Sequence, residues 1–216
     1  IVHAGGNYMT DGHGISASSD LVYEENSWEN DEINNLMNLY YGIDTYHVIS
    51  DPNNTYIDHI DCWGKYLSPT KVLIREVPSN HPQYDEIESV ANYFLESQNN
   101  WGDPWELFRV WTPNDQPYTN SIIVNNKVLV PIMNGSWDDE ALDVYEEALP
   151  GYEVIGFTGT WESTDALHCR VKGIPDLEML QLFHKPLRDT ISPIEFQGYE
   201  LEINIDDLSE SGIIEE

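Results

Sequence analysis

The segment "TNSIIVNNKVLVPIMNGSWDDEALDVYEEALPGYEVIGFTG", residues 119–159, shows the plan of this chain most clearly. Two apolar runs flank Asn125 and Asn126, which is typical of a hairpin of two strands. Residues 138–151 then have the pattern of a helix closed by a Pro-Gly pair, and residues 152–159 read as a further strand. The order strand, strand, helix, strand predicts one α/β module.

Two earlier parts of the chain repeat this order, which indicates an α/β or α+β fold built from similar modules. Residues 30–42 ("NDEINNLMNLYYG") have the pattern of an amphipathic helix with a glycine after its end. Residues 81–99 place their apolar side chains at the spacing of one helix face. The strands predicted around these helices are 20–28, 45–50, two strands within 56–77 and 105–113, and a fourth module begins with a strand at 166–175.

The charge of the chain is strongly negative, with 9 basic and 39 acidic residues and a formal net charge of −30. This balance argues against nucleic-acid binding, because the phosphates would be repelled, and it disfavours anionic membrane surfaces. Two explanations stay open: a solvated acidic surface suited to a saline or extracellular setting, or a field that attracts a cationic substrate. No apolar run approaches the ~20 residues of a membrane span.

Cys169 is one of 2 cysteines and invites interpretation as a nucleophile. A buried structural cysteine is the alternative, as is a disulfide with Cys62. A nucleophilic thiol needs a base or a positive neighbour. His168 is adjacent, but on the predicted strand its side chain points to the opposite face, so we expect it to be a poor partner.

A second stretch, "YIDHIDCW" at residues 56–63, offers a base. His59 and Asp61 are two residues apart, so on a strand they share a face. Such a pair, joined by a cysteine from another strand, suits acyl or amidine chemistry; a polar surface pair is the alternative. Residues 51–58 resemble half a calcium loop without its glycine and terminal glutamate, so metal binding there is the less favoured reading. No zinc or Walker motif is present.

Four blocks of this sequence resemble the bacterial peptidylarginine deiminases of the Porphyromonas type. These enzymes belong, with the agmatine deiminases, to the guanidino-group-modifying superfamily. The blocks agree with the family in order and spacing, and they span about residues 4–176. They are "GGNYMTDGHG" (5–14), "NNTYIDHIDCWGKYL" (53–67), "PYTNSIIVNNKVLVPI" (117–132) and "GTWESTDALHCRVKGIPD" (159–176).

The resemblance implies a role for each matching residue. Cys169 stands where the family has the nucleophile that attacks the guanidinium carbon. His59 stands at the general acid and base, Asp61 at a carboxylate that grips the guanidinium nitrogens, and Asn120 at an amide beside the thiol. Further positions that line the substrate pocket in the family are Tyr56, Ile57 and Thr164. The resemblance implies no metal and no cofactor.

The resemblance also implies a fold, the pentein, which is a ring of ββαβ modules about a pseudo-fivefold axis. We expect a pentein that is incomplete at the N-terminus, because the family's upstream Trp-x-Arg-Asp block, with a second guanidinium-binding carboxylate, has no counterpart here. Residues 1–192 are then a partial catalytic domain. Residues 193–216 are expected to be a tail or the first strand of a following immunoglobulin-like domain.

The implied function is hydrolysis of the guanidino group of C-terminal peptidyl-arginine, giving peptidyl-citrulline and ammonia through a cysteine thiol intermediate. Two alternatives stay open: an agmatine deiminase, and a non-catalytic arginine-binding member of the fold. The implied partners are an arginine-containing peptide or protein and the N-terminal module, in cis or as a separate chain. We expect this chain alone to have little activity, and we expect a secreted or cell-envelope protein of bacterial origin.

Overall fold

The computed structural model describes residues 1–54, 57, 59–171, 180–184 and 203–207. Its contacts divide the chain into two compact units, Ile1–Val171 and Lys172–Glu216. The predicted domain boundary between residues 192 and 193 lies outside the described residues and stays a prediction. The same is true of the fold of the tail beyond its described strands.

The regular elements have the following bounds. The strands are β1 (Met9–Thr10), β2 (Ile15–Ser19), β3 (Thr45–Ile49), β4 (Gly64–Ser68), β5 (Lys71–Glu76), β6 (Glu106–Trp111), β7 (Ile122–Val124), β8 (Lys127–Ile132), β9 (Glu153–Thr158), β10 (Leu180–His184) and β11 (Ile203–Asp207). The α-helices are α1 (Leu21–Glu24), α2 (Asn30–Tyr41), α3 (Tyr84–Glu96) and α4 (Asp138–Ala148). The first, second and third 3₁₀ turns are Gly5–Asn7, Ile60–Cys62 and His168–Arg170.

Three sheets of the first unit share one topology, with the orders β1-β2-β3, β4-β5-β6 and β7-β8-β9. In each sheet the first pair of strands is antiparallel and the second pair is parallel. A parallel pair needs a crossover connection, and α2, α3 and α4 lie in the three crossovers. The predicted ββαβ recurrence is therefore confirmed.

The third module follows the prediction closely. Val124 pairs with Lys127 across the two-residue turn, and Asn125 has a φ of 53°, which asparagine tolerates better than most residues. Helix α4 buries Ala141 and Tyr145 against the sheet side of the module. The hairpin and the helix thus bury a common apolar surface, which stabilises both.

Strand β5 is buried on both faces and separates two hydrophobic clusters. Val72 and Ile74 pack in the first cluster, whereas Leu73 packs in the second. Successive side chains of a strand point to opposite faces, so the two clusters lie on the two sides of this sheet. Lys65 on β4 pairs with Leu73 and therefore lies on the side of the second cluster.

The strand predicted for residues 20–28 is wrong, because Leu21–Glu24 forms the short helix α1. The strand that pairs with β3 in this module is β2, which directly follows the first sequence block and was not predicted as a strand. All five residues of β2 ("ISASS") are buried. A strand that is buried on both faces shows no apolar–polar alternation, and small serine and alanine side chains do not have the strand preference of branched ones.

Two further strand predictions, at the start of 56–77 and in 166–175, are wrong where the structure describes them. The second turn has hydrogen bonds from Cys62 N to His59 O at 3.1 Å and from Trp63 N to Ile60 O at 3.1 Å. These bonds span three residues, as in a 3₁₀ helix. The third turn is of the same kind, so neither candidate histidine lies on a strand.

The second unit contains the antiparallel pair β10 and β11. Strand β11 lies within residues 193–216, predicted to be a tail or the first strand of a following domain, and the rest of this segment lies outside the described residues. Across the described parts of the chain, every helix is too short or too polar to cross a lipid bilayer.

Candidate active site

Three 3₁₀ turns from distant parts of the chain meet in the first unit. The turn Gly5–Asn7 contacts both Ile60–Cys62 and His168–Arg170. None of the three belongs to a sheet, so their mutual position depends on side-chain hydrogen bonds and close backbone approach. These contacts bring together residues from the first, second and fourth sequence blocks.

The buried side chain of Asn7 joins two of these segments. Its Oδ1 accepts hydrogen bonds from the backbone N–H of Ser19 at 2.8 Å and of Ile60 at 3.3 Å. The end of β2 and the start of the second turn are thereby tied to the first turn. Asn7 was not predicted as a site residue, because an asparagine after two glycines is typical of an ordinary loop.

Gly6 lets the first turn approach the second. A Cβ at this position would stand 2.7 Å from His59 Nδ1 and 2.9 Å from Asp61 Oδ2, inside normal contact distances. The imidazole and the carboxylate therefore face the same point beside Gly6. They share one side because of the turn geometry, and not because of the strand alternation from which this was predicted.

Asp61 is the buried acid at the centre of the cluster, with only 3 % of its surface exposed. Its Oδ2 lies 2.7 Å from His168 Nδ1 and accepts a hydrogen bond from the Cys169 thiol at 3.3 Å. Its backbone carbonyl accepts a bond from Thr119 Oγ1 at 3.1 Å. An ionised carboxylate only accepts hydrogen bonds, so the donors His168 and Cys169 offset the cost of burying the Asp61 carboxylate.

Asn120 holds Cys169 through both ends of its amide. Nδ2 donates to the thiol sulfur at 3.1 Å, and Oδ1 accepts from the backbone N–H of Cys169 at 3.3 Å. Asn120 itself is fully buried, directly ahead of β7. The amide is thus fixed by the third module, and it fixes the orientation of the thiol.

Cys169 is exposed as a residue, but its sulfur is turned inward to Asp61, Asn120 and the carbonyl of Thr164, which lies 3.7 Å away. Burial of the sulfur and the negative charge of Asp61 raise the pKa of this thiol to about 11, and the Asn120 amide offsets part of that rise. The raised pKa therefore favours the protonated thiol form of Cys169.

Cys62 is a second thiol in the same cluster. Its Sγ donates to Asp61 Oδ1 at 3.6 Å and to the carbonyl of Thr164 at 3.9 Å. Both Cys62 and Cys169 are free cysteines, so the disulfide that the sequence left open is not formed. Burial and the nearby carboxylate raise the pKa of Cys62 well above its ordinary value, which leaves Cys169 as the more easily ionised thiol.

Lys65 places a buried amine near the cluster, on β4. Burial lowers its pKa to about 8, whereas the negative charges of Asp61 and Cys169 act to raise it. A buried lysine is costly unless it balances a charge. Lys65 was not predicted as a site residue, since a lysine within a strand pattern is most often exposed.

His168 requires a correction. The sequence predicted a strand on which this side chain points away from the site, but the third 3₁₀ turn directs its Nδ1 to Asp61 Oδ2. The same oxygen accepts the Cys169 thiol hydrogen, so neighbouring side chains of one turn meet on one carboxylate. His59 and His168 thus approach Asp61 from two segments.

The residues expected to line the pocket are only partly described. Thr164 is buried, and its carbonyl receives both thiols. Ile57 is partly buried and packs against the first hydrophobic cluster. Tyr56 lies outside the described residues. The roles of all three in substrate binding stay predictions.

In the described residues, no group of three or more histidine, cysteine, aspartate or glutamate side chains is arranged to hold a metal ion. A cavity of about 480 Å³ lies beside the start of α3, lined by acidic groups that include Asp51, Asp85 and Glu86. Neither Asp61 nor Cys169 lines it, so the chemistry of the cluster belongs to a different part of the surface.

Residues 1–175 match the family model described as Porphyromonas-type peptidyl-arginine deiminase. The chain belongs to this family. The match covers every one of the four sequence blocks except the last residue of the fourth. It confirms the resemblance on which the site assignment was based.

Relatives of this deiminase family include a curated agmatine deiminase from Medicago truncatula, which is 23 % identical over 210 residues. Among solved structures, an arginine deiminase from Porphyromonas gingivalis has a TM-score of 0.70 at 22 % identity and covers 76 % of this chain. An agmatine deiminase from C. jejuni has a TM-score of 0.67 at 16 % identity and covers 78 %. At these identities the likeness shows the fold, which is the predicted pentein.

The chain spans about half the length of these relatives. It covers 56 % of the Medicago protein and 54 % of each of the two structures. The fold and the family are therefore those of guanidino-group deiminases, whereas the activity of the whole protein, its substrate and its partners belong to the proposal below.

Proposed function

We propose that this protein hydrolyses the guanidino group of peptidyl-arginine to peptidyl-citrulline and ammonia, through a covalent intermediate on Cys169. The observation that carries the proposal is the meeting of a thiol, a buried carboxylate and an amide from three segments of the chain. Cys169 Sγ lies 3.3 Å from Asp61 Oδ2 and 3.1 Å from Asn120 Nδ2. The family supports the reaction class.

The planar cation suits this arrangement. A guanidinium offers two parallel N–H groups to one carboxylate, and Asp61 is the buried carboxylate that stands beside the thiol. With its nitrogens held by Asp61, the guanidinium presents its carbon to Cys169 Sγ. The formal net charge of −30 favours the approach of such a cation.

Binding of the cation also lowers the pKa of the Cys169 thiol. The charge of Asp61 contributes to the raised pKa of Cys169, and a guanidinium placed against Asp61 offsets that charge. The pKa of the thiol then falls, and its proton passes to a base. We assign that base to His59, which stands beside Gly6 and Asp61 at the entrance of the second turn.

The reaction then proceeds in two displacements. The Cys169 thiolate adds to the guanidinium carbon, His59 protonates one terminal nitrogen, and ammonia leaves with breakage of its C–N bond. His59 next takes a proton from water, whose oxygen adds to the same carbon. The C–S bond breaks, the released thiolate takes up the remaining hydroxyl proton, and the carbon becomes that of a ureido group.

Agmatine is the second candidate substrate, because a curated relative and a similar structure are both agmatine deiminases. The two substrates share the guanidinium and differ at the other end. We favour the peptidyl form because the matching family model is of the peptidyl-arginine type.

We also propose that the protein is exported, because its strongly acidic composition suits an extracellular protein. Detection of the protein only inside cells of the source organism would contradict this proposal.

The decisive experiment incubates the chain with three substrates at equal concentration: a peptide ending in arginine, a peptide with an internal arginine, and agmatine. Citrulline or carbamoylputrescine and ammonia are measured together. We expect the first peptide to be the best substrate and Cys169→Ala to abolish turnover while retaining binding. Turnover by Cys169→Ala would overturn the nucleophile assignment, and a preference for agmatine would establish the second candidate.

The same assay addresses the partner. We propose that a further segment, in cis or as a separate chain, supplies the family's second guanidinium carboxylate. The expected result is low turnover by these residues alone and higher turnover when such a segment is present, in the same chain or added as a second one. Equal turnover by both would contradict the need for that segment.

A further inference from the structure

The hydrogen bond between His168 and Asp61 is a contact that the proposed roles do not use. Asp61 Oδ2 is shared by His168 Nδ1 at 2.7 Å and by the Cys169 thiol at 3.3 Å. The shorter and stronger of these two contacts is the one to the imidazole. An ionised carboxylate accepts hydrogen bonds only, so Nδ1 carries the hydrogen of this bond.

The backbone holds His168 in place independently of its ring. Its N–H donates to the carbonyl of Asn120 at 3.1 Å, and the next N–H, that of Cys169, donates to Asn120 Oδ1. The third turn is therefore docked on Asn120 over two consecutive residues. The imidazole projects from this docked turn, so its distance to Asp61 does not depend on a mobile loop.

The orientation of the Asp61 carboxylate decides how a cation is bound. Two parallel N–H groups of a guanidinium require both carboxylate oxygens in one defined plane. A carboxylate can rotate about its last torsion at low cost, because that torsion is broad. His168 provides the strongest fixed donor to Oδ2, whereas Cys62 Sγ lies 3.6 Å from Oδ1 and donates only weakly.

Other charged or titratable groups face Asp61 from each element around it. His59 lies beside the first turn, Cys62 belongs to the second turn, Cys169 to the third, and Lys65 to β4. The two thiols lie farther from the carboxylate oxygens than His168 Nδ1, at 3.6 Å and 3.3 Å, and Lys65 interacts with Asp61 through its charge. The substrate cation itself displaces the thiol hydrogen from Oδ2 and leaves the imidazole contact intact.

We propose that His168 is a positioning residue, whose Nδ1–H fixes the Asp61 carboxylate in the plane that receives the guanidinium and faces the thiol. This inference rests on the proposed function for its meaning in turnover. The geometry on which it stands, however, concerns Asp61 and Cys169 in the free protein. It can therefore be tested with and without catalysis.

The test compares His168→Leu, which removes the donor, with His168→Asn, whose side-chain amide places an N–H near the position of Nδ1. His81→Ala is the matched control, because His81 Nε2 lies 3.4 Å from Asp115 Oδ1 and so forms an imidazole–carboxylate contact that involves neither Asp61 nor Cys169. Each change is also made in an Asp61→Asn background, which forms a double-mutant cycle. Folding of each variant is checked by thermal unfolding.

The first readout is the alkylation rate of Cys169, located by peptide mass mapping, at fixed pH values between about 8 and 10. Loss of the donor leaves the Asp61 charge less compensated, so we expect His168→Leu to slow alkylation about tenfold. His168→Asn restores most of the rate, and His168→Leu has no further effect in Asp61→Asn. Equal effects in both backgrounds would show a change of access only and would overturn the proposal.

The second readout is turnover. We expect His168→Leu to lower kcat/KM about tenfold or more, mainly through KM, with recovery in His168→Asn. If the wild-type protein forms no citrulline, the proposed function fails, but the alkylation cycle still decides the role of His168. If His168→Leu does not fold, His168→Asn and His168→Gln are compared instead, and equal alkylation rates in these two would overturn the proposal.

Discussion

Asn120 and Cys169 are bound to each other twice, through Nδ2 to Sγ at 3.1 Å and through the Cys169 N–H to Oδ1 at 3.3 Å. The bond to Oδ1 fixes the backbone of Cys169 relative to the amide, and the bond from Nδ2 fixes the direction of its thiol. This pairing holds the thiol relative to the third module and underlies the first prediction.

Asn120→Ala removes the donor that lowers the pKa of the Cys169 thiol. We expect alkylation of Cys169 at a fixed pH to slow about tenfold, because a hydrogen bond to a charged sulfur stabilises the thiolate. Asn99→Ala is the matched control: Asn99 is also buried and accepts backbone N–H bonds from Trp101 and Asp103. An equal change of thiol reactivity in the control would contradict the prediction.

The thiol of Cys169 should show its raised pKa directly. With a pKa of about 11, its alkylation rate rises tenfold per pH unit up to that value. The folded pKa is raised above the ordinary 9.0, so the contribution of Cys169 to stability is complete below about pH 9 and is lost as the pH rises to about 11. Chemical unfolding of the wild type and of Cys169→Ala across this range measures that loss. A rate that levels off near pH 9 would show that the pKa of the thiol is not raised.

Lys65→Met tests the buried amine. Above pH 10.5 Lys65 is neutral in both states, and between pH 10.5 and about 8 the unfolded chain gains a proton that the folded one does not. The contribution of Lys65 to the free energy of unfolding therefore falls as the pH falls from 10.5 to about 8, by about 3 kcal/mol in total. We expect the free energy of unfolding of the wild type, relative to Lys65→Met, to rise from pH 8 to pH 10.5. Lys127→Met, which removes an exposed ammonium paired with Glu153, is the control for loss of positive charge.

Gly6→Ala tests the close approach of the first two turns. A Cβ there would stand 2.7 Å from His59 Nδ1 and 2.9 Å from Asp61 Oδ2, so both groups must move. We expect turnover to fall at least about tenfold, since small displacements of catalytic groups are costly. Gly5→Ala is the matched control, because no atom lies within 4 Å of its added Cβ. Parallel losses in both variants would mean that the turn itself, and not the contact, is disturbed.

The modules were predictable where their patterns are local. The hairpin around Asn125 and the helix that became α4 show their turn residues and their periodicity within about forty residues. The same reasoning failed for β2, whose buried serines and alanine carry no alternation. Pattern and propensity therefore located strands rich in branched apolar residues, including the doubly buried β5, and they missed β2, whose small buried side chains carry neither signal.

The site was predictable in its members and not in its contacts. The sequence blocks indicated His59, Asp61, Asn120 and Cys169 as site residues. In the structure the thiol of Cys169 is hydrogen-bonded to both Asp61 and Asn120. The roles of these residues in catalysis stay predictions. The prediction that His168 points away from the site was wrong, because it assumed a strand where the backbone forms a 3₁₀ turn.

By itself, the sequence determined the module order, the acidic charge and the residue types that suit guanidinium chemistry, because each of these depends on local pattern or on composition. Only the tertiary structure decided that the turn Gly5–Asn7 contacts the other two 3₁₀ turns, that Asn7 ties it to the second turn, and that His168 Nδ1 lies against Asp61. The physical reason is that these contacts join segments more than fifty residues apart along the chain. Their geometry follows from the packing of the modules around them.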